Sequence, residues 1–221
     1  MAYGPYILAA VIGYFLGALP FGYLVARAHG VDIFKAGSGN PGATNVKRVL
    51  GEKFGAKGKR AGNLVFALDA VKGAVAAAIP LLVGWYASRG ADIPEDWTTV
   101  RMHSLTGVIA AILGHSFSIF TKFKGGKGVA TAAGGLVVLM PVSCLIGGAV
   151  WVLTFFATRY VSLGSILAAV AVPSASWLRG NPLALNLVVT AIGLFVIVRH
   201  RENVRRLLNG TESKFAKKPT A

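Results

Sequence analysis

Acidic residues are scarce in this sequence: eight Asp and Glu stand against 23 Lys and Arg among 221 residues. The interior loops carry no clustered aspartates, which argues against a transferase that uses Mg²⁺ and a nucleotide-activated donor. No carboxylate dyad is placed for acid–base work and no His-Glu-x-x-His stretch occurs, so no metal site is expected. Cys144 is the single cysteine and lies in an apolar run. That excludes a disulfide framework or a cysteine metal site and points to a buried, inert thiol. None of His29, His103, His115 and His200 has Asp at the fifth place after it. Charge as a whole is thin, at 14% of residues, against about one quarter in soluble domains. No internal repeat stands out, which weighs against an inverted-repeat transporter.

What is present is hydrophobic. Apolar side chains make up 54% of the chain, and mean hydropathy is +0.62. This composition indicates an all-α integral membrane protein, polytopic, with residues 1–221 forming a single transmembrane domain. A formal net charge of +15 could suggest nucleic acid, but its placement argues against that partner. Eight Lys and Arg lie in 27–60, three in 122–127 and seven in 199–218, between or after apolar spans. That is the cytoplasmic excess of the positive-inside rule, and it also suits membrane lipids or substrates that are anionic.

Residues 6–26 form the first span, and no basic region precedes it as in a cleaved signal peptide. The basic loop 27–62 holds its end in the cytoplasm and leaves the N-terminus outside. Residues 63–87 form the second span. Asp69 and Lys72 lie one turn apart on one face of it, as a structural ion pair or as part of a site. Residues 88–100 form an outer loop with Asp92, Glu95 and Asp96 against Arg89, flanked by Trp85, Tyr86 and Trp97 as interface anchors. The third span is 101–121. Residues 129–158 are then apolar throughout; one helix of that length would reach about 45 Å against a hydrocarbon core of roughly 30 Å. Pro141 sits in the middle of the run. Splitting it near Met140–Pro141, with further spans at 163–178 and 183–198, gives seven spans and a cytoplasmic C-terminus. Five spans, with 163–198 merged, is the alternative; the turn signal Arg179-Gly-Asn-Pro182 favours seven. Residues 213–221 read as a flexible tail.

Three polar stretches break this pattern, all expected on the cytoplasmic face. The first is 37–48, Gly-Ser-Gly-Asn-Pro-Gly-Ala-Thr-Asn-Val-Lys-Arg. Glycine-rich turns present successive N–H groups to an anion, and Lys47 and Arg48 add charge. A loop whose cations only orient the protein is the plainer alternative. Gly37-x-Gly39-x-x-Gly42 matches a dinucleotide fingerprint, but an apolar helix precedes it rather than a strand, so that reading fails. The second stretch, 114–131, contains Lys122-Phe-Lys124-Gly125-Gly126-Lys127-Gly128; glycine follows the last lysine where a Walker A loop needs Ser or Thr. The third, 199–212, places Arg199, Glu202, Asn203 and Arg206 on one face at helical spacing, with His200 beside them. Ser162 and Ser165 fall where a helix begins, either as caps or as ligands for a phosphate.

Taken together these stretches resemble the bacterial membrane acyl-phosphate:glycerol-3-phosphate acyltransferases. That family carries three cytosolic motifs, and all three stand here in order. They are Ser38-Gly-Asn-x-Gly-Ala-Thr-Asn45 with Arg48, Gly114-His115 through Lys-Gly-Gly-Lys127-Gly-Val-Ala-Thr, and Arg199-His-Arg-Glu-Asn203 through Gly210-x-Glu212. Pro41 fills a position the family lets vary. The His-x4-Asp pair of the better-known glycerolipid acyltransferases is absent. The resemblance implies transfer of a fatty acyl group from acyl phosphate to the 1-hydroxyl of glycerol 3-phosphate, without cofactor, metal or covalent acyl-enzyme. It implies catalytic roles for His200, Asn203 and Ser38. Substrate contacts fall to Ser38, Asn45, Arg48, Gly125, Gly126, Lys127 and Gly128, with Ser165 adding a hydroxyl. Arg199 and Glu202 are expected to pair and hold the third motif, and His115 to bond backbone at its helix end. Implied partners are the two substrates, membrane lipids and a soluble acyl-phosphate-producing enzyme. The implied location is the bacterial cytoplasmic membrane. The rival reading is a membrane anion or phosphate transporter with basic loops at its mouth. It requires polar residues through the membrane middle, and apart from Asp69 and Lys72 near one end the spans offer only Gly, Ser, Thr and Asn there.

Overall fold

The computed structural model of the chain describes residues 3–89 and 97–215. Asp92, Glu95 and Asp96, expected in an outer loop, lie outside these residues, as does most of the 213–221 tail. Among the described residues every regular element is helical.

The chain forms two compact units, Met1–Leu139 and Met140–Ala221. In the first, α1 (Gly4–Ala18) and α2 (Phe21–Ala28) are separated by a break at Leu19–Pro20, because proline offers no N–H to continue the ladder. Helix α3 (Ala43–Ser88) follows, then α4 (Trp97–Ser116), a 3-10 turn at Ile119–Thr121 and α5 (Val129–Leu139). Helix α1 packs on α4, and α3 packs on both α4 and α5. Small residues bring these backbones together: a Cβ at Gly13 would collide with the Gly107 carbonyl, and one at Gly73 with the Thr131 carbonyl. In the second unit α6 (Pro141–Thr158), α7 (Val161–Leu178) and α8 (Leu183–Arg199) pack in sequence, and α9 (Arg201–Leu208) ends the unit.

Several boundaries differ from the sequence expectation. The segment 27–62, expected as a cytoplasmic loop, is largely helical, since α3 begins at Ala43. Asn45, Val46 and Leu50 point inward, and Val46 and Leu50 join Ala26, Ile33, Ala61 and Val65 in a buried cluster. The abundance of Lys and Gly hid this apolar spacing. Gly55, at φ 58°, kinks α3 and separates this segment from the membrane portion. Motif residues 43–48 are therefore the opening turns of a helix rather than loop.

The split at Met140–Pro141 is present: α5 stops at Leu139, Met140 is non-helical, and Pro141 starts α6. The turn after Leu178 is also present, with Gly180 at φ 67° and α8 starting at Leu183. Five helices among the described residues are long and apolar enough to cross a membrane, and a sixth span results if the bent pair α8–α9 counts as one. Helix α5, at 11 residues, rises only about 16 Å. Cys144 is half-buried rather than enclosed. At the end of the described chain, the Phe215 N–H donates to the Arg159 carbonyl at 3.0 Å.

Candidate active site

The first motif is built around Asn45, which is 4% exposed. Its Oδ1 accepts from the Ser38 N–H at 3.0 Å, and its Nδ2 donates to the carbonyls of Ala36 and Asn40, both at 3.0 Å. The turn can close this tightly because Gly37 and Gly39 take φ of 59° and 68°, and a Cβ on Gly37 would collide with the Asn45 amide. Both amide hydrogens of Asn45 are thus committed to the turn. Its part is to shape the loop that presents Ser38, whose side chain is exposed at the tip. Arg48 lies one turn further along α3 and is half-buried.

The second motif is a turn folded back on the end of α4. The Ser118 hydroxyl accepts from the Phe120 N–H, and the Thr121 hydroxyl donates to the Lys124 carbonyl at 2.6 Å. Lys122 and Phe123 sit at φ 53° and 61°, a left-handed conformation unusual for side chains of this size. The Gly126 N–H donates to the His115 carbonyl at 3.1 Å. A Cβ at Gly126 would run into the His115 imidazole, so glycine is required there. The backbone bond at this helix end is made by the His115 carbonyl; its ring, expected to bond backbone, lies instead against Asp69, with Nδ1 3.4 Å from Oδ1. Lys127 is half-buried, between Gly126 and Gly128. Beside this turn runs an open groove with Arg27, Lys35, Lys122 and Lys124 set among Tyr23, Phe34 and Phe120.

The third motif belongs to the second unit. His200, 3% exposed, sits where α8 ends and α9 starts, and the two helices bend by 55° there. The residues from Arg199 to Arg206 therefore do not share one continuous helical face, contrary to the spacing argument. The imidazole Nδ1 lies 2.7 Å from the Val196 carbonyl. A carbonyl only accepts, so Nδ1 carries the hydrogen and Nε2 is the basic nitrogen.

Glu212 ties the motif together. It accepts from the Ser162 hydroxyl at 2.6 Å, the Asn203 amide at 2.7 Å and the Arg206 guanidinium at 2.7 Å. Burial pushes the Glu212 carboxyl up, but these three donors and the Arg206 charge outweigh it and hold the group below the usual glutamate range. The tie is Arg206–Glu212, in place of the expected Arg199–Glu202 pair. Neither serine caps α7, whose N-cap is Tyr160 with no side-chain cap bond. Ser162 serves Glu212, while Ser165 donates to the Val161 carbonyl at 2.9 Å and accepts from Trp151 Nε1 at 3.2 Å. The Gly210-x-Glu212 ending belongs to the third motif, but its local pattern assigns Glu212 no role. Its signal was that it is the last of only eight acids, set in a strongly basic tail.

Of the expected site residues, the structure gathers Ser38, Asn45 and Arg48 at the start of α3, and Gly125, Gly126, Lys127 and Gly128 at the α4–α5 turn, both in the first unit. His200 stands at the junction of α8 and α9, Asn203 lies in α9 and Ser165 in α7, all in the second. No group of three or more His, Cys, Asp or Glu that could hold a metal ion occurs among the described residues.

Residues 7–210 match the model of the glycerol-3-phosphate acyltransferase family. The chain is 42% identical over 212 residues to the glycerol-3-phosphate acyltransferase of Geotalea daltonii, covering 94% of this chain and 97% of that one. To the enzyme of the same name from Aquifex aeolicus it is 40% identical over 209 residues, covering 95% and 98%. Two solved structures are similar as well: the glycerol 3-phosphate and lysophosphatidic acid forms of PlsY (YgiH), an integral membrane glycerol 3-phosphate acyltransferase. Their TM-scores are 0.80 and 0.78, each at 38% identity and covering 96% of both chains. Matched along nearly its whole length by model, sequence and fold, this multi-pass membrane protein belongs to the glycerol-3-phosphate acyltransferase family.

Proposed function

We propose that the protein transfers a fatty acyl group from acyl phosphate to the 1-hydroxyl of sn-glycerol 3-phosphate, giving lysophosphatidic acid and phosphate. The observation that carries the reading is the near full-length family match, with a relative solved in glycerol 3-phosphate and lysophosphatidic acid forms. The family match also sets the transporter reading aside.

The chemistry fits the residues. The substrate hydroxyl oxygen attacks the acyl carbonyl, the bond from carbonyl carbon to phosphate oxygen breaks, and phosphate leaves with the electron pair. The donor is already activated, so no enzyme nucleophile or acyl-enzyme is needed. The hydroxyl proton goes to His200 Nε2 or to an oxygen of the donor phosphate. Asn203 positions substrate or polarises the acyl carbonyl. Ser38, Arg48 and Lys127 hold phosphate oxygens, the Gly125–Gly128 backbone approaches the acyl phosphate, and Ser165 adds a hydroxyl. The basic groove at Arg27, Lys35 and Lys122 offers anions an approach to the second motif. No cofactor or metal enters the scheme.

The whole chain acts as one acyltransferase in the bacterial cytoplasmic membrane. The distribution of Lys and Arg supports an external N-terminus and a cytoplasmic C-terminus with seven membrane segments, α5 entering only part-way. The three basic motifs then face the cytoplasm, from which the polar substrate arrives and where a soluble acyl-phosphate-producing enzyme can dock.

The test is acyl transfer by purified protein in lipid, without added metal. Glycerol 3-phosphate is supplied with palmitoyl phosphate or, in parallel, with palmitoyl-CoA. Lysophosphatidic acid is expected from acyl phosphate alone; product only from the CoA ester rejects the donor assignment. In the same assay Arg48→Ala and Lys127→Ala are each expected to raise KM by about 10- to 100-fold, because each removes a charged hydrogen bond worth about 1.5–3 kcal/mol. Their kcat should change much less. An unchanged KM in either variant removes that cation from phosphate capture.

A further inference from the structure

We propose that Asp69 and Lys72 are positioning residues for the reaction. Through His115 they fix the Gly125–Gly126 turn of the second motif against the break in the first membrane helix. The inference rests on the reading that this turn meets the acyl phosphate.

Pro20 breaks the first membrane helix. Where α1 stops and α2 begins, carbonyl groups lose their helical donors inside a membrane segment, and neighbouring side chains must satisfy them. The Ala18 carbonyl accepts from the Ser118 hydroxyl, which belongs to the second-motif stretch. The Leu19 carbonyl accepts from the Lys72 ammonium at 3.0 Å, and the same ammonium lies 5.5 Å from the centre of the Phe21 ring. Lys72 is drawn there by Asp69: the ammonium is 2.7 Å from Asp69 Oδ1, and both side chains are 3% exposed. The His115 Nδ1 lies 3.4 Å from that same oxygen. The His115 carbonyl then holds the Gly126 N–H, and its ring fills the space a side chain at position 126 would need.

One continuous set of contacts thus runs from the broken helix to the glycine turn. It also reaches the first motif, since a Cβ on Gly22 just after the break would collide with the Pro41 carbonyl. Asp69, Lys72, His115, Gly125, Gly126 and Pro41 all line one small pocket in the first unit. Lys72 satisfies the Leu19 carbonyl, but the ion pair with Asp69 lies within one helix, and such a buried pair adds no more stability than well-packed apolar residues of similar volume. What a fixed ion pair adds is register, and here that register is set under a substrate-facing turn.

Two folded variants test this. Asp69→Asn combined with Lys72→Met leaves no orphan charge, and His115→Phe keeps the ring volume while cutting only the link to Asp69. Hydrogen exchange is read without substrate, and kinetics with palmitoyl phosphate and glycerol 3-phosphate. In both variants exchange should quicken in 122–128 and stay at the wild-type rate in α6–α8. KM for palmitoyl phosphate should rise by about 10-fold or more, and kcat should fall by less than about 3-fold. Lys72→Arg, which keeps the cation, should recover part of the KM. Wild-type exchange and KM in either folded variant overturns the proposal. The exchange result stands apart from donor identity. If the wild type makes no product from acyl phosphate, the donor reading fails while the positioning claim is still judged.

Discussion

His200→Ala is expected to lower kcat by about 10²- to 10⁴-fold, the usual worth of a positioned general base. The proposed role as base draws on the geometry of the imidazole. It is 3% exposed, and the Val196 carbonyl 2.7 Å from Nδ1 fixes the tautomer that leaves Nε2 basic. The variant should fold, because the backbone N–H of residue 200 also donates to the carbonyls of Val196 and Ile197, at 3.1 and 2.9 Å. The end of α8 therefore survives loss of the ring. KM for both substrates should move little, since the ring is assigned to proton transfer rather than phosphate capture. Turnover at saturating substrate, normalised to folded protein, decides the matter. Full turnover in His200→Ala would show that a donor phosphate oxygen takes the proton and that the histidine assignment is wrong.

Glu212→Ala should damage both stability and turnover. Removing the carboxylate takes its acceptor from the Ser162 hydroxyl and one acceptor from the Asn203 amide, which are 7% and 5% exposed. Each buried donor left unpaired costs about 1–3 kcal/mol. Arg206, with a side chain 37% exposed, turns to water and adds about 0–1 kcal/mol. A loss of up to about 7 kcal/mol is a large share of a domain's total. Glu212→Gln keeps an acceptor for Ser162 and Asn203 and gives up only the Arg206 bond, so its loss should be the smaller. Turnover should fall with Glu212→Ala because Asn203, proposed to position substrate, loses its bond to the carboxylate.

Acid should act in the same direction. The folded carboxyl is held below its ordinary value of about 4.3, so its contribution is complete above that pH and disappears as pH falls through the folded value. Melting curves of the three proteins, at neutral pH and near pH 4, check this. The wild type should lose stability on acidification, and the difference between wild type and Glu212→Gln should shrink. Equal melting of Glu212→Ala and wild type at neutral pH would show that the three-donor contact holds nothing.

The membrane class and the helix break at Met140–Pro141 could be read from the chain by itself. Hydropathy is summed over about 20 residues, and proline acts at one known place, so neither depends on distant contacts. The three motifs were legible for a related reason: glycine, serine, asparagine and cations in short runs mark turns that meet anions. The sequence also brought Asp69 and Lys72 together, because i and i+3 share a helix face.

Tertiary structure decided the rest. The amphipathic start of α3 became visible only when Val46 and Leu50 were seen against Ile33 and Val65. Asn45 turned out to shape the first motif, and Ser162 to serve Glu212 rather than cap α7. Glu212 emerged as the centre of the third motif, and Lys72 as the donor to a carbonyl 53 residues earlier in the chain. These are pairings between polar groups far apart in sequence. Local pattern determines which face of a helix a side chain occupies, but in a membrane the partner of a buried donor is whichever acceptor packing brings within about 3 Å.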